Sequence, residues 1–531
     1  MRRRTLLKST ASAAAVAALP SRFAIADSSA RTNKLLRYVP TADLSVLDPT
    51  FTTTQVSITH GYYVFDTLYG IDHTQTPRPQ MAEGASVSDD GRTWDIRLRE
   101  GLKFHDGEPV LARDAAASLK RWCARDVYGQ AMGAFVDTFT TADDRTIRIK
   151  LKSPFPILLD AIAKPNGMLP AILPERLASI ETSKQVTEMV GSGPYRFLKG
   201  EFVPGSRSAY ERFKDYVPRQ EKPSWASGGK VAHIERIEWT IINDPSTASA
   251  ALQKGEIDWW EQVQPDLLPL LRKSRDLTVT NFNPVGFFGT MRFNHLHPPF
   301  NNVAVRRAVR LGMDQEQYMS AVTGNDPAIW KSCKALFPCG TTYGEDIGGA
   351  GMTGDVAAAR KALKDAGYAG EKVVILNPAD VPTISPFGQV TYEYLKTIGM
   401  NVELQDMDWN TLAQRRTKSD PPEKGGWSIF HNWWLGTSFI NPAISPVLRG
   451  LGAKGWAGWY SNPGIEELVA QWTVAPTQEE RVRLARVIHQ VAMDDVPTVV
   501  LGRFFILSSH HRALTGLVES TSPYPWNLRW S

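Results

Sequence analysis

Two pairs of histidines stand close enough to share a metal ion: His295 and His297, one residue apart, and the adjacent His510 and His511. Imidazoles at such spacings ligate transition metals when further donors join them. His295 and His297 lead into Pro298-Pro299, which marks a loop, and His510-His511 closes a run that reads as a strand. Both pairs are therefore expected at the surface, with no metal. Nucleophilic, phosphoryl and metalloprotease chemistry each need a local signature. The chain has no Gly-x-Ser-x-Gly elbow, Walker loop, His-Glu-x-x-His or paired Cys-x-x-Cys, and no cofactor motif. What it does have is 16 tryptophans. Indole is costly core filler but a good stacking surface for a bound molecule, so the composition leans toward binding.

The elements that would position such a surface alternate between helix and strand. Asp355 to Ala366 places Val356, Ala359, Leu363 and Ala366 on one face and stops at Gly367. Val373 to Leu376 reads as a buried strand, a helix follows around Val390 to Thr397, and Met400, Val402 and Leu404 alternate as the next strand. Thr477-x-x-Glu480 is a capping box that opens a helix with Val482, Ala485, Ile488 and Ala492 on one stripe. Pro497 ends it, and Val499 to Leu507 reads as a buried strand. Such alternation predicts an α/β protein with largely parallel sheets. Upstream, Trp94, Ile96 and Leu98 alternate with polar residues as a half-buried strand, followed by turns at Glu100-Gly101 and Asp106-Gly107 and a helical run.

Residues 1–26 read as an export leader. Arg3-Arg4-Thr5-Leu6-Leu7-Lys8 resembles the twin-arginine consensus, an Ala-rich run from Ala11 to Leu19 follows, and Ala24-Ile25-Ala26 fits a cleavage site. An ordinary Sec signal is the alternative, since Arg2 stands where the twin-arginine pattern has Ser or Thr. The apolar run is too short to span a bilayer, and no Cys near the cleavage site offers a lipid attachment, so a free, soluble periplasmic protein is expected. The leader holds Arg2, Arg3, Arg4, Lys8 and Arg22 and no acid, which accounts for the whole formal charge of +5. A near-neutral mature chain gives no argument for a nucleic-acid partner or an anionic membrane. Its length, about 505 residues, exceeds one hydrophobic core and implies roughly two to four domains. Cys333 and Cys339 read as a small loop staple in an oxidising compartment, with two buried thiols as the alternative. Cys123, beside Trp122 in a helical pattern, reads as a buried free thiol.

The string Leu98-Arg-Glu-Gly-Leu-Lys-Phe-His-Asp-Gly-Glu-Pro109 closely resembles the signature of the family 5 extracellular solute-binding proteins, the peptide and nickel receptors of ABC importers. Further segments resemble that family in its order. They include Leu47-Asp48-Pro49, Phe65-Asp66-Thr67-Leu68, Gly191-Ser192-Gly193-Pro194-Tyr195, Ala251 to Asp258, Arg292-Phe293-Asn294, Val305 to Val309, Ala362 to Tyr368 and Gly399 to Leu404. The resemblance implies a periplasmic-binding-protein type II-like α/β fold: two lobes joined by a hinge, with an extra domain inserted in the first. Projected onto this chain, the first lobe takes 27–71, 189–290 and 500–531, the insert 72–188 and the second lobe 291–499. It also implies a monomeric receptor, without cofactor, that captures a small-molecule or peptide-like ligand between the lobes and delivers it to an ABC permease of the inner membrane.

Dipeptide members of that family hold the ligand's amine with an Asp in a Gly-Asp-Asn-Gly-Asp-Pro-like stretch after a Trp. Here the matching stretch, Asn432 to Pro442, has no carboxylate: Thr437 or Ser438 takes the place of the acid and Asn441 that of the second Asp. The segment 377–389, where those members carry an Arg for the far carboxylate, has none. An ammonium buried without an acid is disfavoured by about several kcal/mol, so a simple free dipeptide is not the expected ligand. The remaining hydroxyl, amide and indole groups suit a neutral, polar or aromatic one. The resemblance makes Trp409, Trp433, Trp434 and Phe439 candidate walls and Asn432, Thr437 and Asn441 candidate hydrogen-bonding partners. Trp260 and Gln55 are further candidates, and Gly191, Gly193 and Pro194 are assigned to a turn. Each aromatic has core packing as its alternative; Trp433 and Trp434 would face opposite sides of a strand, so one of them reaches ligand. An exported cofactor-dependent enzyme, and a receptor fold turned to signalling or chaperone duty, are the other classes of function.

Overall fold

The computed structural model describes residues 32–324, 326–345 and 351–531; the leader assigned to 1–26 lies outside them. Two large sheets organise the described chain. The first has seven strands in the order Leu277–Thr280, Ser508–His511, Trp259–Trp260, Leu35–Val39, Arg236–Thr240, Arg207–Arg212 and Tyr195–Phe197. The second has six, in the order Trp330–Lys331, Thr498–Phe504, Phe287–Phe293, Ile429–Leu435, Lys372–Pro378 and Asn401–Met407. A four-stranded antiparallel sheet, Ala82–Val87, Thr93–Leu98, Thr146–Leu151 and Val136–Asp143, forms the core of the segment between the first strands of the seven-stranded sheet.

The local signals act where the side-chain pattern places them. Asp355 caps the helix Val356–Asp365 by accepting from the Ala358 amide, and Ala359 and Leu363 are buried along its stripe. Lys372–Pro378 and Asn401–Met407 are parallel neighbours joined through the helix Ser385–Thr397, as a βαβ unit requires. Leu35–Val39 and Trp259–Trp260 are likewise parallel, and the helix Pro245–Lys254, capped by Asp244 and ended by the left-handed Gly255, lies between Thr240 and Trp259.

The sheets are mixed rather than largely parallel. In the six-stranded sheet, Phe287–Phe293 runs antiparallel to both Ile429–Leu435 and Thr498–Phe504. The reason is the passage between sheets: the chain leaves the seven-stranded sheet after Thr280 and returns to it at Ser508, and these outgoing and incoming strands lie side by side in opposite directions. The six-stranded sheet consequently starts before residue 291 and extends beyond 499, because the passing strands keep their ladder bonds on either side of the crossing.

Two of the family-like motifs meet in space. His105 accepts a contact from the Gly191 amide, donates its own backbone N–H to the Gly191 carbonyl at 2.8 Å, and has Nε2 3.0 Å from the Gly193 carbonyl. Gly191 and Gly193 lie against Val64 and Phe65 so closely that a Cβ at Gly191 would sit 2.0 Å from the Val64 oxygen. Cys333 and Cys339 are joined as a disulfide, and Cys123 is a buried free thiol whose pKa burial pushes up to about 12. The histidine pairs are less exposed than their loop and terminal contexts predict. His295 turns inward to the Pro497 carbonyl at 3.0 Å, and burial holds its pKa well below the ordinary value. His510 is buried because its strand is an interior member of the seven-stranded sheet.

Candidate functional site

A cavity of about 420 Å³ opens between residues 71–165 and the segments that lie between the strands Ile429–Leu435 and Thr498–Phe504, with Tyr343 beside them. That size lies in the range of sites for small molecules. One wall comes from the early part of the chain: Ile71, the turn Thr74 to Pro77, Tyr128, Asp160 and Lys164. The other comes from Tyr343, Thr437, Asn441, Trp472, Gln478 and Arg481, with Ile440 and Ile444 as apolar surface. Asn166 bridges the two sides, its Nδ2 donating to the Ser438 hydroxyl at 2.7 Å.

Each polar wall residue is held by its own element. Asp126 caps the helix Val127–Phe135 through the Tyr128 and Gly129 amides, and its other oxygen takes the Lys164 ammonium at 2.6 Å. One carboxylate thus fixes Tyr128 and neutralises Lys164. Asp160 stands on the short helix Leu158–Ile162, anchored by the buried Leu158, Ala161 and Ile162. Thr477 caps the helix Gln478–Asp495 by accepting from the Glu480 amide, which sets Arg481 in its first turn. The Arg481 guanidinium donates to the Ala475 carbonyl at 2.9 Å and twice to the Gln478 side chain. Asn441 shapes its turn by accepting from the Ala443 and Ile444 amides.

The electrostatics of the cavity are those of a cleft partly withdrawn from water. Burial raises the Asp160 carboxyl above its ordinary pKa, and the positive charge of Arg481 opposes the rise. Burial likewise pushes the Tyr128 phenol well up, with the Asp160 charge adding to it. The Thr437 hydroxyl and the Trp472 indole N–H are buried and have no hydrogen-bond partner among the described residues. Buried polar atoms without a partner are uncommon and point to a ligand or solvent contact.

Of the nine residues singled out in the sequence, Thr437 and Asn441 line this cavity. Asn432, Trp433 and Trp434 share the strand Ile429–Leu435. Trp433 packs edge-on to Phe287 and donates to Thr383 Oγ1 at 3.1 Å, Trp434 packs on Trp456, and the Asn432 carbonyl accepts from Thr290. Trp409 starts the helix Trp409–Arg415 beneath the Arg416 guanidinium. Three others lie away from this cavity. Phe439 is wholly buried edge-on to Phe288 because the tight 3-10 turn Gly436–Phe439 folds it inward. Trp260 is core, among Val39, Leu252 and Ile257, because both faces of its strand are covered. Gln55 reaches the carboxy-terminal segment, its Nε2 2.8 Å from the Ser522 hydroxyl. The charged groups Asp160 and Arg481 were not singled out, nor was Trp472. The one local signal was an acid inside the apolar run Leu158-Leu-Asp-Ala-Ile162. The cavity is therefore not lined by neutral groups alone.

The family model for bacterial extracellular solute-binding proteins, family 5 Middle, matches residues 76–453. The chain belongs to this family. A probable peptide ABC transporter periplasmic-binding protein, y4tO, of Sinorhizobium fredii is 38% identical over 531 residues, covering 99% of each chain. The glutathione-binding protein GsiB of Salmonella typhimurium is 25% identical over 496 residues, covering 90% of each. The substrate-binding protein CtaP of Listeria monocytogenes superposes with a TM-score of 0.79 at 21% identity, covering 94% of this chain and 100% of that one. Membership makes the chain a peptide-type solute-binding receptor of an ABC importer, working with a permease, and not an enzyme. Among the described residues no helix is long and apolar enough to cross a membrane.

Proposed function

We propose that this receptor works as a monomer in the periplasm, after removal of residues 1–26, and that its ligand is peptide-like but not a simple free dipeptide. The observation that carries the reading is Thr437. Its hydroxyl is buried, without a partner among the described residues and on the cavity wall, at one of the two positions, 437 or 438, where the family resemblance puts an acid; the Ser438 hydroxyl is taken by Asn166. A dipeptide ammonium brought there would meet a neutral oxygen, at a cost of about several kcal/mol relative to a carboxylate. An amide or hydroxyl of a longer or differently linked peptide would satisfy Thr437 at no such cost. Glutathione, named for relatives that are 25% identical, is a peptide of that kind and the first probe to use.

Calorimetric titration of residues 27–531 with glutathione, dialanine and trialanine tests this. Glutathione is expected to bind at least tenfold more tightly than dialanine, and Thr437→Asp to strengthen dialanine while weakening glutathione. Equal binding of dialanine and glutathione by the wild type, unaltered in Thr437→Asp, would overturn the ligand reading.

A further inference from the structure

The Cys333–Cys339 disulfide closes a loop whose two halves are held by different means. The first half is anchored without it. Ala335, Leu336 and Phe337 are buried, and the Leu336 amide donates to His489 Nε2 at 2.9 Å. The Gln315 side chain accepts from the Cys333 amide at 2.9 Å and donates to the Cys333 carbonyl at 2.7 Å. The second half leads to the cavity, where Thr342 and Tyr343 form part of the wall. Tyr343 packs edge-on to Trp472 of the same wall, and its hydroxyl accepts from Gln478 at 3.3 Å. Besides the disulfide, this half is held by the Arg503 guanidinium, which donates to the Cys339 carbonyl at 2.9 Å, and by the exposed Glu345–Arg486 ion pair. An exposed pair contributes little. The seat of Tyr343 therefore depends on the covalent closure.

We propose that this disulfide is a thiol-exchange site that sets the cavity wall: oxidised, it seats Tyr343 against Trp472; reduced by an external dithiol, it releases residues 339–344 and weakens ligand binding. The two sulfurs are not equivalent. Cys333 is buried and Cys339 is partly exposed, so an incoming thiolate attacks the Cys339 sulfur. The S–S bond breaks with its electron pair going to Cys333. That sulfur already accepts the Cys339 amide N–H at 3.3 Å, a donor that stabilises the departing thiolate until it takes a proton. The dithiol's second thiolate then attacks its own sulfur in the mixed disulfide, and Cys339 leaves and is protonated. Two electrons and two protons have passed to the protein, and the dithiol has become a disulfide. The first half of the loop keeps its burial and its Gln315 bonds, whereas the second half regains the freedom that loop closure removed. Loss of affinity rests on the receptor reading above; release of the wall does not.

The test compares residues 27–531 oxidised, reduced with dithiothreitol and re-oxidised, together with the double variant Cys333→Ala, Cys339→Ala. Alkylation and mass spectrometry report the state of each cysteine, and each form is first shown to melt as one folded receptor; the reduced wild type serves alone if the variant fails to fold. Amide hydrogen exchange is expected to rise about tenfold in residues 339–344 on reduction and to stay as it was in residues 333–337 and in the strand Thr498–Phe504. It should return on re-oxidation, and the double variant should match the reduced form. Trialanine and S-methylglutathione, neither of which carries a free thiol, are expected to bind at least fivefold more weakly to the reduced form and to the variant. A disulfide that dithiothreitol leaves intact in the folded receptor, or exchange in residues 339–344 unaltered by reduction, overturns the exchange site whatever the peptides do. Faster exchange with unaltered affinity for a probe that binds overturns the coupling to the ligand. With both probes silent toward every form, the exchange rates alone decide the release of the wall, and the peptide-like ligand class is what falls.

Discussion

Glu261 shows how far a single carboxyl can be moved by its surroundings. It follows Trp259-Trp260 and is buried, accepting from the Tyr38 hydroxyl at 2.5 Å and the Thr41 amide at 2.8 Å. Burial nevertheless dominates and raises its pKa to about 7, against the two hydrogen bonds. A folded-state pKa above the unfolded value means the protonated form is the one the fold favours. The contribution is complete below the ordinary Glu pKa of 4.5 and is lost as pH rises through about 7. At 1.36 kcal/mol per pKa unit, the loss amounts to about 3 kcal/mol. Glu261→Gln, which keeps the acceptor oxygen, should therefore gain stability relative to wild type between pH 5 and 8 in urea unfolding by about that amount. A wild-type-to-variant difference independent of pH would show that the carboxyl stays ionised. At this scale the sequence was informative where a residue type departed from an expected one, as at Thr437 and Asn441. It was silent on Asp160, whose place on the cavity wall is set by the fold.

Elements were more legible than residues, because caps and periodicity are written within a few positions. Asp355 caps its helix, the left-handed Gly367 follows that helix's end, and Thr477 caps by accepting from the Glu480 amide, although the Glu480 carboxylate turns to Arg483 instead of closing a capping box. Thr477→Ala should lower stability by about 1 kcal/mol, the usual worth of a hydroxyl N-cap, measured by chemical denaturation. It should also weaken ligand binding, since Arg481 lies in the turn that the cap holds and leans on Gln478 beside it. Loss of stability with unaltered affinity would mean that the Ala475 carbonyl alone positions the guanidinium. Gly193 makes the second case. Its Cβ would stand 2.7 Å from the Val64 carbonyl carbon and 2.8 Å from the Phe65 nitrogen, both backbone atoms that cannot swing away. Gly193→Ala should cost about 1–3 kcal/mol or more by overpacking and release His105 from the Gly193 carbonyl. A melting temperature equal to wild type would show that the turn has room that this geometry denies. Strand direction, by contrast, was misread: β-α alternation is local, whereas the antiparallel pairing of Phe287–Phe293 with Thr498–Phe504 joins segments some two hundred residues apart.

The whole molecule turns on that pairing. The seven-stranded and six-stranded sheets are linked by two passes of chain, Thr280 to Phe287 and Phe504 to Ser508, while the cavity walls belong to segments on either side of them. Closure of the walls on a ligand must therefore be taken up in these passes, as the hinge of the family implies. Gly286 sits in the first pass at φ +75°, and a Cβ there would meet the Phe505 ring at 2.8 Å and the Phe504 oxygen at 2.9 Å, in the second. Its carbonyl also accepts from the Gly436 amide, which ties the pass to the turn carrying Thr437. Gly286→Ala strains this arrangement in two ways, through a left-handed backbone and through contact with the neighbouring pass, at about 1–3 kcal/mol. If that geometry belongs to the closed receptor, the strain falls on closure, and an apparent dissociation constant should rise roughly tenfold. Small-angle scattering during a ligand titration separates the possibilities. The wild type should contract on saturation, and Gly286→Ala should contract as far but only at higher ligand concentration. A variant that melts lower yet contracts at the wild-type concentration would place the strain equally in open and closed forms, and the hinge elsewhere.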